Sequence, residues 1–238
     1  MSGVVAITVL VLPPLLERLP AILGRKAPPV PMTLLLLLSM AQSAILLALA
    51  VWAGTALAPA VGLHAPAFEA IVTRHSIARA LKPQLMAGLI GGAFGGILIV
   101  AFSSLAPSEL KAVQKTFDVP LIARVLYGGL TEELLLRWGV MTLLLWIAWR
   151  FFQRRAGSPK SLWVWLAIIM SALAFGAGHL PAAAMLIGTL RSGVVVSVVA
   201  VNAVFGILAG YLFWRYGLEA AMIAHAFAHT LNYVIAMF

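Results

Sequence analysis

The sequence predicts an all-α, polytopic integral membrane bundle of about seven to eight transmembrane helices. Of its 238 residues, 63% are hydrophobic and only 10% are charged, and the mean hydropathy is +1.06. Soluble domains carry roughly 25% charged residues, whereas about 20 apolar residues suffice to cross the hydrocarbon layer. The chain therefore accommodates these spans with short loops as a single membrane domain, residues 1–238, without a separate soluble domain.

The N-terminal transmembrane helices are expected within residues 1–119. Residues 4–16 form a short or kinked first helix, because Pro13-Pro14 breaks the apolar run. Residues 32–58 form a span long enough to tilt. The polar interval 64–83 is either a short interfacial helix or a solvated loop, and the sequence leaves both open.

Residues 84–105 form a span of unusual composition, with overlapping GxxxG patterns. This spacing lets helix backbones approach closely in membranes, so we expect the glycine face to pack against the helices of the C-terminal half. The glycines are Gly88, Gly91, Gly92, Gly95 and Gly96.

The second half opens at Pro120, a residue favoured at helix starts. A long apolar helix is predicted over 120–152, followed by a basic loop. Further spans are predicted over 162–179, 193–214 and 217–238, with a short connecting or re-entrant stretch up to 190. Basic residues divide almost evenly between the two sets of loops, so the positive-inside rule does not orient the chain.

The net charge of +9 does not indicate nucleic acid. The basic residues are scattered through loops and helix ends and form no long run interleaved with aromatics, so membrane lipids are the expected partners. The chain has no cysteine, which excludes disulfides, thiolate metal sites and a cysteine nucleophile together.

A pair of carboxylates lies deep in apolar sequence. The segment 126–140 reads LYGGLTEELLLRWGV and contains Glu132, Glu133 and Arg137. An ionisable group at membrane depth costs at least ~2.5–3.5 kcal/mol, so it usually serves a function. Glu133 and Arg137 have the i, i+4 spacing of a helical ion pair. Glu132 points about 100° away, free to enter an apolar cavity where desolvation strengthens a carboxylate as a general base.

Three of the five histidines also fall in apolar segments. His179 ends one predicted span, while His225 and His229 lie four residues apart on the last helix and project from one face. Asn232 lies near the same face. A lone buried histidine is usually a core residue, but three beside the only intramembrane carboxylates predict a site.

The residue inventory excludes other intramembrane hydrolases. An aspartyl mechanism needs two aspartates and the chain has only Asp118. The metalloprotease pattern HExxH and the nucleophile pattern GxSxG are both absent. A site of glutamate and histidine remains.

The ordered motifs EExxxR (132–137), FxxxH (175–179) and HxxxH (225–229) resemble those of the CPBP family. This family comprises CAAX proteases and bacteriocin-processing (Abi-like) intramembrane proteases, including the type II CAAX prenyl endopeptidases. The resemblance covers residue 120 to the C-terminus and places the catalytic helices within 120–238. It implies an endopeptidase in which Glu132 activates water, Glu133 and Arg137 support it, and His179 and His225 assist. The implied substrate is a hydrophobic or lipid-modified, CAAX-like peptide. The compact loops are similar to those of prokaryotic members, which implies a multi-pass protein of a prokaryotic inner membrane.

His229 departs from the family pattern, which has Asn or Asp at this position. An imidazole N–H can also stabilise an oxyanion, and in that reading no cofactor is required. Alternatively, His179, His225, His229 and Glu132 bind Zn²⁺, and the sequence leaves the metal unknown. A non-catalytic scaffold or bacteriocin self-immunity protein is a further alternative. A transporter with a proton relay is disfavoured because the Glu and His motifs have no inverted repeat.

Overall fold

The computed structural model describes residues 1–23 and 30–237, and ten helices follow one another in this part of the chain. They are α1 (residues 2–23), α2 (Met32–Val61), α3 (Pro66–Val72), α4 (Ile77–Ser104) and α5 (Ser108–Thr116). In the second half they are α6 (Leu121–Phe152), α7 (Ser161–Gly178), α8 (Leu180–Ile187), α9 (Ser192–Tyr216) and α10 (Leu218–Ile235). The described residues are 85% helical and contain no strand, which confirms the predicted all-α class.

Five helical stretches in the described residues are long and apolar enough to cross a membrane. They are α2, α4, α6, the pair α7–α8 (Ser161–Ile187) and α9. Residues Ser2–Glu17 of α1 form a shorter apolar helix, and α10 carries the polar residues of the predicted site. The membrane bundle is confirmed, whereas the number of seven to eight spans stays a prediction.

Several boundaries differ from the sequence-based expectation. Helix α1 continues through Pro13 and Pro14 to Leu23, with wider π-helical turns at Ile7–Val11 just before the prolines. A wide turn eases the clash between a proline ring and the carbonyl four residues earlier. Residues 24–29 of the predicted connection after α1 lie outside the described residues.

The polar interval 64–83 contains helix α3, in agreement with the interfacial-helix alternative. Helix α4 then starts at Ile77, earlier than predicted, because the Ser76 side chain accepts a hydrogen bond from the Arg79 N–H and caps it. Pro83 is tolerated in the second turn of α4.

The glycines of α4 divide into two stripes, each facing a different helix. A Cβ added at Gly92 would lie 2.7 Å from the carbonyl oxygen of Ala224 in α10, and Gly88 and Gly96 face the same helix. Gly91 and Gly95 instead face Leu212 and Phe205 of α9. The expectation that this glycine face packs against the C-terminal helices is confirmed, and α9 and α10 lie close to α4 as a result.

The main hydrophobic cluster joins the two halves of the chain. It contains Ala58 and Leu63 beside Trp138, Phe175 and Phe213. Helix α2 lies at the edge of this cluster, because only 6% of its most apolar 18-residue stretch is buried. Its exposed leucines and Ile45 provide a surface for lipid.

Hydrogen bonds fix the start of α10 against α3 and α4. The buried Glu219 carboxylate accepts the backbone N–H groups of Ala67 and Phe68 at 2.8 and 2.9 Å. The Gln84 side chain in turn accepts the N–H of Ala220 at 3.2 Å. Backbone donors at helix starts need such acceptors, and these bonds set the height at which the α10 histidines meet α6.

Candidate active site

The carboxylates lie on a stretch of α6 with an irregular helical repeat. Wide π-helical turns cover Arg124–Glu132 and Leu134–Met141, and Glu133 lies between them. Such turns often accompany functional sites. One turn before the carboxylates, a Cβ at Gly128 would lie 2.5 Å from Nε2 of His229, and one at Gly129 would lie 2.9 Å from Cβ of Ala226. These two glycines let α10 bring its histidines against α6.

Glu133 and Arg137 form the predicted ion pair. Oε1 of Glu133 lies 3.1 Å from Nη1 of Arg137, and the two side chains are 0% and 1% exposed. Arg137 also donates to the carbonyl of Gly206 in α9 at 3.2 Å, and its guanidinium carbon lies 4.8 Å from the centroid of the Phe175 ring. The buried pair thus ties α6 to both α7 and α9.

Glu133 also holds His225, a contact that the sequence did not predict. Nδ1 of His225 donates to Oε1 of Glu133 at 2.7 Å, although the residues are 92 positions apart. A carboxylate only accepts, so Nδ1 carries the hydrogen and Nε2 of the neutral ring is left as an acceptor. Glu133 therefore fixes both the orientation and the tautomer of this histidine.

His179 is oriented by the end of its own helix. It terminates α7, and its Nδ1 lies 2.9 Å from the carbonyl oxygen of Phe175, one turn earlier. The last carbonyls of a helix lack backbone partners, and a carbonyl can only accept, so Nδ1 carries the hydrogen here as well. Nε2 of His179 is again left as an acceptor.

Glu132 faces both of these Nε2 atoms. Its Oε1 lies 4.0 Å from Nε2 of His179 and its Oε2 lies 3.9 Å from Nε2 of His225. These gaps are too long for direct hydrogen bonds and suit a bridging water. The Glu132 side chain is 16% exposed, and its carboxylate is separate from the Glu133–Arg137 pair, as the helical spacing predicted.

His229 takes a different position from the other two histidines. Its ring stacks on that of His225, with centroids 4.7 Å apart and planes inclined by 24°, and its Nε2 lies against Gly128. Among the ion-pair contacts of the described residues, none joins His229 to Glu132 or Glu133. The structure therefore gathers Glu132, His179 and His225 around one point, while His229 lines the wall beside it.

The donor geometry does not fit a metal ion. Within residues 1–23 and 30–237, no group of three or more His, Asp or Glu side chains converges closely enough to hold one. The Zn²⁺ alternative thus finds no support in this arrangement of side chains.

A cavity of about 250 Å³ opens beside the histidines. Its apolar wall includes Phe175 and Phe205. Its polar lining includes Arg124, His179, Asn202, His225, His229 and Asn232. Sequence reasoning did not identify Arg124 or Asn202, since each is a single polar residue near a helix end or in an apolar run and matches no motif.

The comparisons with known proteins agree with this location. The family model described as Type II CAAX prenyl endopeptidase Rce1-like matches residues 115–231. The matched segment contains all six predicted site residues. No curated protein and no solved structure matches the chain.

Proposed function

We propose that this chain, which belongs to the CPBP family of CAAX-type membrane proteases, is a glutamate-dependent intramembrane endopeptidase. In this proposal Glu132 activates the hydrolytic water, and His179 and His225 assist. The observation that carries it is the convergence of two acceptor Nε2 atoms on the two Glu132 oxygens at 4.0 and 3.9 Å.

The proposed reaction begins with a water held between these three groups. One water hydrogen is donated to the Glu132 carboxylate and the other to a histidine Nε2, which directs an oxygen lone pair away from both. As the oxygen attacks the peptide carbonyl carbon, Glu132 takes up the first hydrogen. The C–N bond then breaks, and the same proton passes from Glu132 to the leaving amine.

The neighbouring residues support this chemistry indirectly. Glu133 holds His225 through the 2.7 Å hydrogen bond, and Arg137 holds Glu133 in place through the buried pair at 3.1 Å. We assign His229 to the oxyanion, since a neutral imidazole retains one N–H donor. The residues therefore divide into a base, two histidines of which either accepts the second water hydrogen, an oxyanion donor and a supporting pair.

The proposed substrate is a hydrophobic or lipid-modified, CAAX-like peptide that reaches the site from the membrane. Membership of a membrane protease family and the apolar helices establish an integral membrane protein in a lipid environment with a peptide substrate in general. A multi-pass protein of a prokaryotic inner membrane is the proposed location. A single membrane domain with the catalytic helices in 120–238 completes the proposal.

Glu132→Gln tests the function because it keeps the shape of the side chain and removes the base. We expect peptide release from native membranes to fall by at least ~10²-fold, with an unchanged melting temperature in detergent. The matched control is Glu17→Gln, an exposed carboxylate far from the motifs. Full turnover in Glu132→Gln would exclude Glu132 as the base. A self-immunity phenotype that survived the mutation would instead favour the non-catalytic scaffold.

A further inference from the structure

Arg124 lies in the first turns of α6 and lines the same cavity as the three site histidines. Among the described residues that line this cavity, it is the only one with a permanent positive charge. Its side chain is 22% exposed. A cation at the wall of a small, partly enclosed cavity attracts an anionic group strongly, because little solvent screens it.

The guanidinium is held in place by its other contacts. Nε donates to the carbonyl oxygen of Val119 at 2.7 Å, and Nη2 donates to Asp118 at 2.8 Å. The group also lies 5.6 Å from the centroid of the Tyr233 ring in α10. Within the described part of the chain no hydrogen bond uses Nη1, so this nitrogen is free to donate to a bound ligand.

The bond to Asp118 does not prevent ligand binding. The Asp118 side chain is 68% exposed, and exposed ion pairs contribute little free energy. A carboxylate that enters the cavity can therefore share the guanidinium with Asp118 or replace it. Arginine suits this task, because its planar fork matches the two oxygens of a carboxylate.

We propose that Arg124 is a specificity-determining residue that binds a carboxylate of the substrate, a role that rests on the proposed endopeptidase function. The carboxylate is either the free C-terminus of the peptide or an acidic side chain. Asn202 and Asn232 line the same cavity. Their amide groups can hydrogen-bond the peptide backbone between the bound carboxylate and the scissile bond.

The position of Arg124 sets the distance from the bound carboxylate to the scissile bond. Arg124 precedes Glu132 by eight residues on one helix (132 − 124). This spacing would give about 12 Å of rise in an α-helix and gives less here, because Arg124–Glu132 forms wide π-helical turns. An extended peptide advances about 3.3 Å per residue, so a peptide anchored at Arg124 is cut within about three residues of its carboxylate.

The experiment uses a synthetic ten-residue peptide pool with apolar residues randomised at the last four positions. The pool is made as the free acid, as the C-terminal amide, and as the amide with Asp or Glu at the last position. Binding is measured to Glu132→Gln protein in nanodiscs, so that hydrolysis is not needed for the readout. Cleavage positions are mapped separately with wild-type protein by mass spectrometry.

We expect the Glu132→Gln protein to bind the free acid about 10-fold or more tightly than the plain amide, as for a hydrogen bond to a charged group. Addition of Arg124→Gln should abolish this preference. Asp118→Asn is the matched control, since it breaks the same ion pair and leaves the guanidinium, so the preference should persist. If the amide with a terminal Asp or Glu binds as tightly as the free acid, the site binds acidic side chains. If it binds as weakly as the plain amide, the site binds the free C-terminus.

Three results would overturn the proposal: equal or undetectable binding of all peptide forms, a preference that survives Arg124→Gln, or a loss of preference in Asp118→Asn. The last result would mean that the Arg124–Asp118 pair only fastens the start of α6. Failure of the proposed function is recognised separately, because wild-type protein would then cut none of the peptides while the binding preference remained.

Discussion

Glu133 is the residue on which the polar centre depends, since one of its oxygens serves both Arg137 and His225. It lies 3.1 Å from Nη1 of the arginine and 2.7 Å from Nδ1 of the histidine. All three side chains are buried. A charge held at this depth is tolerable only while its partners remain, which makes the members of this group mutually dependent.

Arg137→Ala is expected to destabilise the fold as well as impair hydrolysis. The change leaves Glu133 as a buried carboxylate without its cation and removes the contact to Gly206. Breaking a buried pair from one side costs about 3–5 kcal/mol, so the melting temperature in detergent should fall clearly. If the variant melted like the wild type and were merely inactive, Arg137 would act on substrate and the supporting role would be wrong.

His229→Asn separates the two roles considered for this residue. The amide donates a hydrogen bond and matches the usual family residue, so substantial activity should remain if His229 acts on the oxyanion. A metal ligand would behave differently, because an amide oxygen binds zinc poorly compared with imidazole. Stoichiometric zinc in the purified wild type, lost together with activity in His229→Asn and partly restored by added zinc, would contradict the hydrogen-bond role.

Among the helices, α4 supports α10, which carries His225 and His229, and α9, which carries Gly206. Its two glycine stripes face α10 on one side and α9 on the other. Close approach of helix backbones is the main means by which membrane helices gain packing contacts. The positions of His225 and of Gly206, the acceptor for Arg137, therefore depend on glycines remote from the chemistry.

Gly92→Ala should move α10 away from α4. The added methyl would lie 2.7 Å from the backbone oxygen of Ala224. A backbone atom cannot relieve this contact by a change of rotamer, as a side chain can. Overpacking of this kind costs about 1–3 kcal/mol, and we expect a lower melting temperature together with reduced hydrolysis. Gly193→Ala is the control, because nothing lies within 4 Å of a Cβ at that position. Equal stability of the two variants would show that α4 does not set the spacing.

At the scale of the whole molecule, the connections assign each loop to one of two ends of the bundle. The N–H of Leu218 bonds to the carbonyl of His64 at 3.0 Å, so the α2–α3 and α9–α10 connections lie at one end. Arg191 and Glu109 approach to 3.5 Å, which brings the α8–α9 and α4–α5 connections together. Because successive spanning helices run in opposite directions, the basic loop after α6 lies at the same end as the α2–α3 and α9–α10 connections.

Single-cysteine labelling tests this arrangement, since the chain has no native cysteine. In sealed membranes, a membrane-impermeant maleimide should label His75→Cys and Arg155→Cys from one side. Lys111→Cys and Arg191→Cys should be labelled from the opposite side. All four positions are exposed. Labelling of Arg155→Cys and Arg191→Cys from the same side would require a different number of crossings between them, and the side that reacts also orients the protein.

Local features of the amino-acid sequence predict the membrane bundle, most of the helices and the six candidate site residues. Hydrophobic content and run length are local properties that set the class of fold. The cost of an ionisable group in apolar surroundings is also a local property, and it singles out Glu132, Glu133 and Arg137. The i, i+4 spacing likewise predicts the Glu133–Arg137 pair, because both residues belong to one helix.

The way in which the helices combine these residues follows from tertiary packing. The bond from His225 to Glu133 joins positions 92 residues apart, and no local pattern specifies which carboxylate a distant histidine meets. The position of His229 also depends on packing. Glu219 and Gln84 fix the start of α10, and Gly128 leaves room for the His229 ring beside α6. Arg124 joins the cavity for the same reason: its helix start is brought to α10 by packing, whereas its sequence neighbourhood matches no motif.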